Sequence, residues 1–185
     1  MGRGYKIRDQ SKLYFVTFSV IHWIDVFTRV KYKDLLIESL KYCQEHKSLE
    51  IYAYVVMSNH LHLIIGQSSD KKIQDIIRDF KKYTSYSIME AIKNNPKESR
   101  KGWIVWMMER AGKANSNNKN HQFWQQHSHP IELNTNRLME QKLEYIHHNP
   151  VKAGIVLSPQ EYLYSSAKNY YGMNDECLLD VIFIQ

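Results

Sequence analysis

Two histidines separated by one leucine, His60 and His62, stand in the run Y-A-Y-V-V-M-S-N-H-L-H-L-I-I-G from Tyr52 to Gly66. The apolar and β-branched residues on either side of Ser58-Asn59 read as a β-hairpin whose second strand begins at His60. Residues two apart on a strand share a face and sit ~7 Å apart. Two imidazoles placed that way can converge on one metal ion, while Leu61, Leu63 and Ile65 fill the opposite face. The chemistry on offer is therefore a metal site anchored in a core sheet, with incidental strand histidines as the plain alternative. A second pair, His127 and His129, lies in a polar stretch that runs directly into Pro130 and reads as surface or substrate-facing.

A candidate nucleophile stands far downstream. In L-E-Y-I-H-H-N-P, Tyr145 sits beside the apolar stripe Met139, Leu143 and Ile146. His148 and Asn149 follow three and four residues later, which on a helix returns them to the tyrosine's face. An amide oxygen one turn after a phenol can complete coordination of a cation while the ring presents its hydroxyl to whatever the ion holds.

The elements that must position these groups follow from pattern. Leu13 to Ile21 is β-branched and aromatic and reads as a buried first strand. Thr28 to Lys47 carries Leu36, Leu40 and Cys43 at helical spacing. After the hairpin, Ser68-Ser69-Asp70 offers an N-cap for a helix from about Lys71 to Asn94, with Ile73, Ile76, Ile77, Phe80 and Ile88 as its stripe. Arg78, Lys81 and Lys82 lie off that stripe and could track a phosphate backbone, or simply form a solvated face. Glu98 to Ala111 reads as a short helix whose Trp103, Trp106, Met107 and Arg110 are best explained by core packing.

Gly112 to Asn120 is a polar, Asn-rich loop, and His121 to Leu133 holds the last strand. Asn134-Thr135-Asn136 caps a final helix to about His148, and Pro150 ends it. The order β-α-β-β-α, an extra helix, then β-α is that of a ferredoxin-like antiparallel α+β sheet with helices packed on one face, plus a C-terminal helix carrying the tyrosine. The tail from about 157 to 185 contacts a partner or covers the core.

Composition narrows the class. A chain of 185 residues, 43% apolar, suits a single domain. No run approaches the ~18 apolar residues of a membrane span and the first residues lack a secretory core, so the expectation is a cytoplasmic protein with no membrane partner. Cys43 and Cys177, far apart and outside any C-x-x-C, argue against a disulfide scaffold or a thiolate zinc site. Lys plus Arg exceed Asp plus Glu by 25 − 19 = 6, a modest pointer to nucleic acid. Thirteen Tyr, six Phe and four Trp supply rings on which unpaired bases could stack. The basic segment 1–12, with Arg3, Tyr5, Lys6 and Arg8, could enter a DNA groove or lie free.

Several segments together carry a resemblance: V-V-M-S-N-H-L-H-L-I-I, F-K-K-Y-T-S from Phe80 to Ser85, F-W-Q-Q from Phe123 to Gln126, Y-I-H-H-N-P-V-K-A-G-I-V from Tyr145 to Val156, and Y-S-S-A from Tyr164 to Ala167. From about Leu13 to Gly172 the chain resembles the single-tyrosine HUH transposases, and within them the REP-associated tyrosine transposases. The resemblance implies cleavage and rejoining of single-stranded or hairpin DNA at palindromic repeats, with His60 and His62 as the histidine pair, Tyr145 as nucleophile and Asn149 as third metal ligand. It further implies Mg2+ or Mn2+ as cofactor and a 5′-phosphotyrosine intermediate, in a monomer or a homodimer. A phenol ionises only near pH ~10, so its proton needs an acceptor, either a water on the ion or His148. A non-catalytic nucleic-acid module and a metal-dependent nuclease that uses water are the competing readings.

Overall fold

The computed structural model describes residues 7, 9–115, 120–126 and 129–184. Arg3, Tyr5, Lys6, Arg8 and His127, and residues 116–119 of the Asn-rich loop, lie outside the described residues. The elements are β1 (Tyr14–Ser19), α1 (Val30–Lys47), β2 (Leu49–Val56), β3 (His60–Gln67), α2 (Ile73–Lys93), α3 (Lys101–Lys113), β4 (Ile131–Glu132), α4 (Asn136–Lys152) and α5 (Ala167–Tyr170), with short 3-10 turns between some of them.

The four strands form one antiparallel sheet in the order β2-β3-β1-β4, the ferredoxin-like arrangement expected. Register fixes the faces: Thr17 pairs with His62 and Phe18 with Leu61. Leu61, Leu63 and Ile65 are buried on one face, where Phe18 meets Phe80 of α2 with ring centroids 6.0 Å apart. Lys47 and Asp79 tie α1 to α2 at 2.6 Å. His60 and His62 point to the other face, and there α4 lies against the sheet. The expectation of helices on one face thus holds for α1 and α2, while the tyrosine-bearing helix occupies the opposite side.

Several local expectations are corrected. Ser68, Ser69 and Asp70 do not cap α2. Lys72 holds the cap position without a side-chain bond, and the first helical N–H, that of Ile73, donates to Gln10 Oε1 at 2.7 Å. α4 is capped as expected, with Leu138 N–H donating to Thr135 Oγ1 at 3.2 Å. Pro150 lies inside α4 and does not end it; it donates no bond of its own, yet the ladder resumes beyond it, with Ala153 N–H donating to Asn149 O at 3.0 Å. The last strand shrinks to two residues plus an isolated bridge between Val20 and Trp124.

Of the Trp/Met stripe expected to pack in the core, Met107 packs against it and the two tryptophans do not. Ile104, Met108 and Ala111 are the buried face of α3, and Trp103 and Trp106 are about half exposed. Two adjacent apolar stripes on one short helix leave periodicity unable to choose between them. Glu98, expected at the start of this helix, is instead buried beneath α1, 2.5 Å from Arg29.

The tail covers the core. Val56 N–H donates to Tyr164 O and Ser166 N–H to Tyr54 O, both at 2.9 Å, so residues 164–166 close the free edge of β2, which would otherwise offer unpaired backbone groups. Among the described residues no helix is long and apolar enough to cross a membrane.

Candidate active site

Strand alternation brings His60 and His62 onto one face with ring centroids 4.6 Å apart. Their orientation is set from behind. His60 Nδ1 lies 2.6 Å from Asn59 Oδ1, and Asn59 Nδ2 donates to Trp23 O at 3.2 Å, which fixes the amide's direction. An amide oxygen only accepts, so the His60 proton sits on Nδ1 and the lone pair on Nε2. His62 Nδ1 pairs with Thr17 Oγ1 at 2.7 Å, and Phe15 stacks on its ring at 5.3 Å. Burial, with His60 and Lys142 adding to it, holds His62 down to about 3, and burial also lowers His60. Both imidazoles are therefore neutral near pH 7, and His60 presents its Nε2 lone pair to a ligand.

α4 brings Tyr145 to this pair from 83 residues away, its hydroxyl 3.5 Å from His62 Nε2. The phenol ring stands edge-on to His62 at 5.2 Å and to Phe15 at 6.0 Å, yet stays 39% exposed. The two imidazoles and the phenol therefore meet within one chain. Asn149 is half-buried one turn further along α4. His148 donates Nδ1–H to Glu144 O at 3.1 Å, so in the neutral ring the lone pair is on Nε2. Its neighbour His147 is buried, with Nε2 paired to Ser166 Oγ at 2.9 Å, and serves the fold.

Among the described residues no three His, Cys, Asp or Glu side chains converge as a metal cage. The donor set is nevertheless open to a cation. Two neutral Nε2 atoms are held by partners on Nδ1, as ligating histidines are, and an amide oxygen lies on the tyrosine's helix face.

Of the basic residues singled out on α2, Arg78 is paired with Asp75 at 2.7 Å and Asp79 at 3.1 Å. Lys81 does not lie on a solvated face: its ammonium donates to Gln125 O at 3.2 Å and sits 5.4 Å over the Phe18 ring, and burial lowers it to about 8. Lys82 is exposed, as is His129 on the approach to β4.

Two cations that no motif singles out stand beside the tyrosine. Lys142 Nζ lies 5.7 Å and Lys152 Nζ 5.8 Å from the Tyr145 ring centroid. They stand three residues before and seven after Tyr145, a helical spacing that could have revealed them. Thr17 and Asn59, which orient the histidines, carry no such signal, since only sheet register places Thr17 opposite His62.

The family described as "Transposase IS200 like" matches residues 12–109. The fold is similar to the structure of a REP-associated tyrosine transposase bound to a REP hairpin, at 16% identity, covering 100% of this chain and 96% of that one with a TM-score of 0.66. A candidate transposase from Deinococcus radiodurans R1 aligns more loosely, at 18% identity over 79% of this chain and 94% of that one, TM-score 0.44. No curated protein sequence matches the chain.

Proposed function

The chain belongs to the IS200-like transposase family, and from that premise we propose that it cleaves and rejoins single-stranded DNA at hairpin-forming palindromic repeats through a 5′-phosphotyrosine on Tyr145. The observation that carries this reading is the meeting of the Tyr145 hydroxyl with His62 Nε2 at 3.5 Å, beside His60. The hairpin seen on the fold neighbour supports hairpin DNA as the substrate class.

Tyr145 Oη attacks phosphorus in line, an O–P bond forms, and the bond to the 3′-oxygen breaks, with that oxygen leaving as a 3′-hydroxyl after taking a proton. The phenol must lose its own proton. His148, with its Nε2 lone pair on the same helix, is the proposed acceptor, alongside water at the exposed rim. Lys142 and Lys152 place positive charge where the phosphate must lie. Because the phosphotyrosine conserves the energy of the phosphodiester, the 3′-hydroxyl of a second strand can reverse the attack and join the new ends.

His60, His62 and Asn149 are the residues that would hold a divalent cation, Mg2+ or Mn2+, with nitrogen donors favouring Mn2+. Bound there, such a cation supplies Lewis-acid stabilisation of the charge that develops on the phosphate oxygens. Direct DNA contacts are assigned to Lys82 on α2 and to Arg3, Tyr5, Lys6 and Arg8 in the basic segment.

The test is incubation with hairpin oligonucleotides bearing single-stranded flanks, plus Mn2+, followed by a denaturing gel. A covalent protein–DNA adduct is expected, with loss of adduct and cleavage but not of DNA binding in Tyr145→Phe, His60→Ala and His62→Ala. Cleavage that survives Tyr145→Phe without an adduct would mean a nuclease using water; binding alone in every form would mean a non-catalytic module.

A further inference from the structure

Immediately after β1, His22 and Trp23 are consecutive non-glycine residues in the left-handed region, at φ 53° and φ 56°. That conformation crowds Cβ against the backbone and is uncommon for bulky residues. Strain of this kind persists only where the surroundings hold it, and here they do. Trp23 N–H donates to Val20 O at 3.0 Å and Ile24 N–H to Ile21 O at 3.3 Å, while Trp23 O accepts from Asn59. Val20, Ile24, Val26 and Phe27 anchor the turn in the core.

The turn does not bury its largest side chain. The Trp23 indole is 56% exposed and stands edge-on to His60, ring centroids 6.0 Å apart at 77°. Other large rings are also exposed, among them Trp103, Trp106, Tyr83 and Tyr86. Among the described residues, Trp23 and Tyr145 are the exposed aromatics in ring contact with the histidine pair.

We propose that Trp23 is the stacking platform for a nucleobase flanking the phosphate that Tyr145 attacks. The proposal rests on the strand-transfer reading of the site and adds to it the group that holds the unpaired strand in register. A flat apolar ring beside the reacting centre has to face the substrate, because a protein partner seated on it would also cover the DNA's approach to His60. Every base has a π-face, so such a platform binds strongly while staying tolerant of sequence. The same turn holds Asn59, and through it His60, so one strained segment serves both the base and the imidazole.

The test uses hairpin oligonucleotides with single-stranded flanks, 2-aminopurine being walked through the flank one position at a time, bound to Tyr145→Phe protein so that no chemistry intervenes. Quenching is expected to peak at one position beside the cleavage site, to vanish in Trp23→Gly and to persist in Trp23→Phe. Affinity should fall about 5- to 150-fold in Trp23→Gly. Glycine suits a positive φ, so Trp23→Gly should melt no lower than the parent, the reverse of what loss of a packing residue would give. Equal quenching in Trp23→Gly, or a lowered melting point with quenching intact, overturns the proposal. An adduct formed by the Tyr145 protein together with no quenched position overturns the platform alone, and neither adduct nor binding overturns the strand-transfer reading with it.

Discussion

Thr17 Oγ1 lies 2.7 Å from His62 Nδ1, on the strand position that the register pairs with His62. The hydroxyl steers a ring that is only 5% exposed and has no solvent to correct its direction. Replacing it with a methyl of the same shape leaves Nδ1 without a partner. Thr17→Val is expected to slow adduct formation by about 10- to 100-fold, the usual cost of losing an outer partner of a ligating histidine. Thr17→Ser should stay near the parent rate. Equal rates for all three proteins would separate His62 orientation from the reaction.

Lys142 and Lys152 flank the Tyr145 ring. Lys142→Ala and Lys152→Ala are each expected to weaken binding of single-stranded DNA and to lower the slope of log affinity against log salt by roughly 0.7, as for the loss of one phosphate contact. Binding titrations at several salt concentrations measure this directly. An unchanged slope in both variants would place the phosphates elsewhere.

The Glu98 carboxylate has 0% side-chain exposure and is 2.5 Å from Arg29, with Arg100 at 3.6 Å. Removing Arg29 takes from the buried carboxylate its nearer cation and leaves Arg100 as the remaining one. Arg29→Ala is therefore expected to lower the urea-unfolding midpoint without altering the site on the far side of the sheet. An unchanged midpoint would show that Arg100 alone suffices.

His147 is held down to about 4 by burial, with His148 adding to it, against an ordinary 6.5; Tyr170 packs edge-on to its ring at 5.0 Å. The folded pKa is depressed, so the unfolded chain takes up the proton first. The contribution is complete above pH 6.5 and is lost as pH falls toward 4, at up to about 1.4 kcal/mol per pH unit. Unfolding free energies measured from pH 7 to pH 4.5 should fall less steeply for His147→Gln than for the parent. Parallel curves would contradict the burial argument.

Much of the fold was legible because its signals are local. The alternation around His60 and His62 marked a strand beginning at His60, and the stripes of α1 and α2 appear where Leu36, Leu40, Ile73 and Phe80 are buried. Where two local signals competed, pattern failed. α3 buries Ile104 and Met108 in place of the tryptophans, and Lys81, polar by type and off the main stripe, is drawn under the segment that carries Gln125.

By itself the sequence determined the order of elements, the face shared by His60 and His62, and the helix face shared by Tyr145 and Asn149, since each follows from a period of two or of 3.6 residues along one element. Only the tertiary structure decided that α4 docks on the histidine face, that Thr17 and Asn59 aim the imidazoles, and that the turn at His22 and Trp23 sets an indole beside His60. Those relationships join residues up to 83 positions apart. They depend on how sheet and helix bury their apolar faces together, which no periodicity within one segment encodes.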